Sequence, residues 1–218
     1  MAKLQAPYII VADTESGGLP SKTKLAFHNI ALVEIAAVVI DVAKLEIVEK
    51  ASWLIKPYQD DLIYSEGAFN VHGISKEMLE EKGEDLKDVY KYFKDILKKY
   101  KSGRWLPVLA GHNFEKFDIP FIQGMFGTFK DDVYEYIQGI EETLRWSSYK
   151  WKESTNYKLG TVCANMGVEL TEAHRALRDT EANAELMIKF IQLLRNETIQ
   201  KEDRFRDKFK MDAKFDKF

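Results

Sequence analysis

Residues 8–15 read YIIVADTE, a run of apolar and aromatic side chains from Tyr8 to Ala12 that ends on Asp13 and returns to a carboxylate at Glu15. A short apolar run of this kind reads as a buried strand. Side chains alternate along a strand, so Asp13 and Glu15 project to the same face. Two like charges side by side repel and raise each other's pKa. A hard divalent cation between them, Mg²⁺ or Mn²⁺, removes that cost, because such ions prefer oxygen ligands. An acidic pair at this spacing is also common where a strand simply meets solvent, so its meaning depends on what the rest of the chain brings to it.

Working outward, Gly17, Gly18 and Pro20 mark a loop. Residues 30–40 are β-rich and almost continuously apolar, interrupted by Glu34, and a third strand covers residues 46–55 until Lys56-Pro57 stops it. Three strands with short connections predict an antiparallel meander. Leu86, Val89, Phe93, Ile96, Leu97 and Tyr100 then follow a helical period and predict an inward-facing stripe. Residues 106–110 read as another strand, followed by a helix over residues 117–126. Leu159, Val162, Cys163 and Met166 form a further stripe with Gly167 as its stop. A last helix carries Ala182, Leu186, Phe190 and Leu193 on one face. Strands first, then strand and helix in alternation, predict an α/β protein with a mixed sheet and helices on its faces.

Bulk properties narrow the class. The 218 residues are 45 % hydrophobic, enough for one domain with a sizeable core, and the net charge of −3 gives no global basic footprint for nucleic acid. Any affinity for a polyanion must be local, with bound cations reversing the sign of a carboxylate cluster. A single cysteine, Cys163, excludes an intrachain disulfide and a cysteine-rich zinc site, and on an apolar helical face it reads as a small core residue. With no secretory signal and no apolar run near the roughly 18 residues needed to span a bilayer, a soluble protein of a reducing, cytoplasmic compartment without a membrane partner is expected. From Arg195 onward charged residues of both signs interleave. This predicts two parts, a domain over residues 1–194 and a helical or disordered extension over 195–218. Phe205 and Phe209, four apart, make partner docking the alternative for that extension.

Two more acids and a histidine stand out. Asp118 lies in GHNFEKFDIPF, just after the strand at 106–110, where α/β sheets place their ligand sites. By itself it would read as an acid favoured by a helix N-terminus. Asp179 lies in HRALRDTEANAELM and shares a helix face with Ala182 and Leu186, so it points toward the body of the protein and needs a partner. His174, five residues earlier, is on that count in the loop before the helix.

The stretches VADTES, GHNFEKFDIPF and HRALRDTEAN resemble, in order, the three exonuclease motifs of the DEDDh (DnaQ-like) family, which includes proofreading subunits of DNA polymerases, RNase T and oligoribonucleases. AFNVHGIS at 68–75 and YKLGTVCANMGVEL at 157–170 resemble further segments of that family, so the resemblance spans about residues 7–194. The spacing of His174 and Asp179 matches the histidine-containing branch. There are departures: three residues separate Asn113 from Phe117 where many members have two, and residues 16–27 are longer than a minimal hairpin start.

The resemblance implies a ribonuclease H-like domain: a five-stranded mixed sheet, three antiparallel strands followed by two parallel ones, flanked by helices. It implies a 3′→5′ exonuclease working through two divalent cations, Mg²⁺ or Mn²⁺, with Asp13, Glu15, Asp118 and Asp179 as ligands and His174 as general base. Asp13 would be shared by both ions, with Asp179 beside the first, Glu15 near the second, and Asp118 acting partly through water. It further implies that Thr14, through its backbone, Val71, His72, Asn113 and Phe117 meet the substrate, with Glu34 at a family position without a catalytic role. His112 is read as ordering the Asp118 loop, and Trp146 and Trp151 as a cover over the site or ordinary packing. The substrate expected is the single-stranded or frayed 3′ end of DNA, with RNA or short oligoribonucleotides as the alternative and a non-catalytic nucleic-acid-binding module as the reading from another class. Proofreading would require a separate DNA polymerase, reached through the 195–218 extension.

Overall fold

The computed structural model describes residues 7–19, 29–170 and 175–212, with side chains as far as Arg195. Five strands form one sheet: β1 (Tyr8–Ser16), β2 (Leu32–Asp41), β3 (Glu46–Leu54), β4 (Val108–Gly111) and β5 (Gly139–Glu142). Their order is β3-β2-β1-β4-β5. β1, β2 and β3 pair antiparallel, and β1/β4 and β4/β5 pair parallel, as expected from the sequence.

Among the described residues the α-helices with defined bounds are α1 (Glu66–His72), α2 (Lys76–Lys82), α3 (Leu86–Lys99), α4 (Phe114–Phe117), α5 (Ile119–Thr128), α6 (Thr143–Lys150), α7 (Leu159–Met166) and α8 (Ala176–Asp212). α3 buries the predicted stripe of Leu86, Val89, Phe93, Ile96 and Leu97. α7 ends as expected at Gly167, whose φ of 62° is a left-handed conformation that glycine adopts freely. α8 crosses residue 195 as one element. Among the described residues no helix is long and apolar enough to cross a membrane.

Both faces of the sheet are covered, which is why β2 is apolar almost without interruption. Ile10 and Ala12 of β1 pack with Leu109 and the α3 and α5 side chains Phe93, Phe121 and Ile122 on one face. Ile9 and Val11 pack with Ala184, Met187 and Ile191 of α8 on the other. The alternation of β1 therefore directs odd-numbered residues to α8 and even-numbered residues to the opposite layer. Asp13 and Glu15 continue the odd row, and Thr14 continues the even one.

The structure departs from the sequence reading at several points. β1 runs on to Ser16, beyond the apolar run, because β2 continues the pairing through Asp13↔Ala36 and Glu15↔Glu34. The helix expected over 117–126 is two helices, α4 and α5, that meet at Asp118, with Pro120 in the first turn of α5. Proline disfavours continuation of a preceding helix and suits the start of a new one. α1 and α2 were not anticipated. Each is seven residues long and is capped by a serine, Ser65 or Ser75, that accepts an N–H from its first turn.

Candidate active site

β1 feeds β2 and β3 on one side, whereas β4 and β5 join on the other, so the sheet order reverses between β1 and β4. β4 pairs with β1 only through Ile9, Ile10 and Val11. Beyond Val11 the two strands part, leaving a crevice at their C-terminal ends, the switch point where open α/β sheets bind ligands. Asp13 and Glu15 stand at its edge.

Asp118 reaches the crevice from the other side. Its Oδ1 accepts the backbone N–H of Thr14 at 2.8 Å and the Thr14 hydroxyl at 2.7 Å. Local structure fixes it there. Gly111 ends β4 beneath the ring of Phe114, and a Cβ at Gly111 would lie 2.2 Å from Phe114 Cδ2. Asn113 then turns the chain with a φ of 59°. The carboxylate of Glu142, at the end of β5, accepts the Glu115 N–H at 2.8 Å and so holds the start of α4. Asp118 caps the end of that helix and is buried, 4 % exposed.

Asp179 arrives on the first turn of α8. Ligand oxygens of Asp13, Glu15 and Asp179 all lie within 4.8 Å of one another. An ion that holds oxygens at about 2.0–2.6 Å requires them to be no more than about 5 Å apart, so this donor set fits a hard divalent cation. The electrostatics agree. Burial, then Asp118, Glu15, Asp179 and Glu34 in that order, hold the Asp13 carboxyl well above the usual carboxylate range. Burial, followed by Asp179, Glu34 and Asp118, pushes Glu15 up to about 8, with Arg175 pulling the other way. Burial pushes Asp118 up to about 7 against the two Thr14 hydrogen bonds. Crowded, desolvated acids of this kind are relieved by bound positive charge.

α8 is tied to the sheet and its flanks at successive heights. Glu34 of β2 accepts the Ala176 N–H, Lys50 of β3 pairs with Glu181 at 3.0 Å, and Thr143 donates to Asn183 Oδ1 at 2.7 Å. His112 joins that last tie: Nδ1 lies 2.9 Å from Thr143 Oγ1, and Nε2 donates to the Tyr157 carbonyl at 2.7 Å. Burial holds its imidazole below the usual value. His112 therefore orders the loop after β4, as read from sequence.

The remaining sequence candidates fall into different settings. Thr14 N–H and hydroxyl both serve Asp118. Val71 is 53 % exposed on α1, whereas the neighbouring His72 is buried and its Nδ1 accepts the Ile74 N–H at 3.0 Å. Asn113 and Phe117 are partly buried beside Asp118 in the chain. Trp146 and Trp151 pack edge-on and tilted against Phe190 of α8, so they are ordinary packing residues. Cys163 is buried, and burial pushes its thiol up to about 11, which leaves it inert as a nucleophile. His174, residues 20–27 of the long hairpin start, and the side chains of Phe205 and Phe209 lie outside the described residues. The supporting acid Glu142 went unread, and Glu34 was read without a role. Glu34 carried the one available signal, a carboxylate in the middle of an apolar strand.

A family model described as an exonuclease (RNase_T) matches residues 10–187. Among curated proteins the chain is 27 % identical over 202 residues to the PolC-type DNA polymerase III of Bacillus subtilis (strain 168), covering 92 % of this chain. It is 29 % identical over 197 residues to the enzyme of the same name from Staphylococcus saprophyticus subsp. saprophyticus, covering 88 %. The chain spans 12 % of the length of each of these relatives. Among solved structures, a complex of E. coli ExoI with single-stranded DNA superposes with a TM-score of 0.71 at 19 % identity, over 95 % of this chain and 45 % of that one. The nuclease domain of 3′hExo, described as a DEDDh family member bound to rAMP, gives 0.68 at 16 % identity, over 86 % and 92 %. Sheet order, the acid-lined crevice and the match over residues 10–187 agree: the chain belongs to the exonuclease family and has the ribonuclease H-like fold of the DEDDh exonucleases.

Proposed function

We propose that this chain is a 3′→5′ exonuclease that hydrolyses single-stranded or frayed DNA ends with Mg²⁺ or Mn²⁺. The observation that carries the reading is the convergence of Asp13, Glu15 and Asp179 oxygens within 4.8 Å of one another, with Asp118 clamped to Thr14 between the first two. DNA is favoured over RNA because the curated relatives are DNA polymerases.

Asp13, Glu15, Asp118 and Asp179 would hold the ions. When bound, such cations offset the carboxylate charge, activate the attacking water and stabilise the departing oxygen. Without that offset, four clustered acids repel the phosphodiester. Thr14 keeps Asp118 in one orientation, so the cluster needs no rearrangement when substrate arrives. His174 takes the proton from the attacking water, a task suited to an imidazole of ordinary pKa ~6.5. Val71, exposed on α1, offers the terminal base an apolar contact, with Phe117 and Asn113 near the scissile nucleotide. Residues 1–194 form the catalytic unit in this reading, cytoplasmic in residence, and 195–218 an extension for contact with a polymerase. Comigration with that polymerase should be lost when 195–218 are deleted.

The test is a time course on 5′-labelled DNA and RNA strands of matched sequence, with Mn²⁺ or with EDTA. Stepwise loss of 3′ mononucleotides from DNA is expected with Mn²⁺ alone, and none from Asp13→Ala. Faster RNA digestion would move the substrate assignment to oligoribonucleotides. Strands that are bound but left intact by the wild type would refute the enzyme and favour a binding module.

A further inference from the structure

The feature that the cation cluster does not absorb is Glu34. It is 2 % exposed, lies opposite Glu15 in the β1/β2 register, and shares that residue's face of the sheet. A buried carboxylate is costly unless its oxygens are satisfied. Here Oε1 accepts the Ser52 hydroxyl at 2.7 Å, and Oε2 accepts the Ala176 N–H at 3.3 Å and Arg175 Nε at 3.4 Å. The partners come from β3 and from the start of α8, so one side chain joins the sheet to the helix that carries Asp179.

Position within α8 makes that joint important. The first N–H groups of a helix lack partners inside it, and helix ends fray. Asp179 is the fourth residue of α8, and its N–H and that of Arg178 both bond to the Arg175 carbonyl. The turn bearing Asp179 therefore hangs from residues 175 and 176, the two that Glu34 holds. The ties through Glu181 and Asn183 lie beyond Asp179 and secure the helix body instead. Glu34 is also a fifth acid near Asp13 and Glu15 and contributes to raising the pKa of both.

We propose that Glu34 is a positioning residue of the cation site: by anchoring Arg175 and the Ala176 amide it holds the Asp179 carboxylate against Asp13 and Glu15. The inference rests on the exonuclease reading for its purpose, but its test does not depend on hydrolysis. Supporting partners of metal ligands typically contribute about 10–100-fold in metal affinity or activity.

Wild type, Glu34→Ala, Glu34→Gln and Asp13→Ala are compared by calorimetric Mn²⁺ titration and by amide exchange of residues 176–180. In folded Glu34→Ala, the first turn of α8 should exchange faster, and Mn²⁺ affinity should fall about 10–100-fold. Glu34→Gln retains an acceptor, so it should recover most of the exchange protection. Should Glu34→Ala fail to fold, Glu34→Gln is compared with wild type in the same two readouts: faster exchange over residues 176–180 together with weaker Mn²⁺ binding supports the proposal, and weaker binding with unchanged exchange refers the loss to charge and overturns it. Unchanged Mn²⁺ affinity in the folded variants overturns the proposal, even with faster exchange, since Glu34 would then serve the fold alone. A wild type that binds Mn²⁺ through Asp13 but leaves strands intact refutes the enzyme and spares the role of Glu34.

Discussion

Replacing Glu15 by glutamine should stabilise the cation-free protein, and the pH dependence of that gain is fixed by the site. The Glu15 carboxyl is pushed from its ordinary 4.5 to about 8. In the window between those values the native state retains a proton that the unfolded chain has released. Stability is therefore lost as pH rises through the window. At ~1.4 kcal/mol per pH unit, the cost of ionising Glu15 reaches about 4 kcal/mol at pH 8. Glutamine keeps the shape and carries no charge, so the cost disappears. With roughly 2–4 °C per kcal/mol for a chain of this size, Glu15→Gln in EDTA should melt roughly 8–16 °C above wild type at pH 8. Below pH 4 the two curves should converge. Excess Mn²⁺ should narrow the gap, because wild type gains about 2.7 kcal/mol when the ion is at 100 times its dissociation constant and the variant gains less. The assay is thermal unfolding followed by circular dichroism from pH 4 to 8, with EDTA or Mn²⁺. A gap that is absent, opposite in sign or independent of pH would refute the claim that Glu15 is held beside the other acids.

Two further outcomes concern the supports of the site. Thr14→Val removes the hydroxyl that Asp118 Oδ1 accepts while the backbone bond remains; the Asp118 carboxyl should rise, moving the acid limb of the pH–rate profile to higher pH. Thr143→Val leaves His112 and Asn183 without their shared buried hydroxyl. An orphaned polar partner costs about 1–3 kcal/mol, so the melting midpoint should fall by roughly 2–12 °C at the rate already used, checked by the same unfolding experiment.

The fold was legible where periodicity was long. The apolar runs of β1 and β2 and the stripe of α3 declared themselves, and Gly167 marked the end of α7. Strand ends were hidden because pairing, not composition, determines them: β1 extends across two acids since β2 lies alongside. α1 and α2 are too short to establish a period, and only Ser65, Gly73 and Ser75 mark them. Asp13, Glu15, Asp118 and Asp179 were legible as acids in recognisable stretches, yet what holds them was not. Thr14, Glu34, Glu142 and the His112–Thr143–Asn183 chain act across 27 to 142 positions of sequence, and no local pattern encodes such a partnership.

Asp179 belongs to the last helix, so the cage for a cation closes only when α8 docks. A chain emerging from its N-terminus displays Asp13 and Glu15 long before residue 179 exists. A fragment ending before Ala176 would keep β1 and its two acids but not Asp179, so it should lose the three-oxygen set that fits a cation.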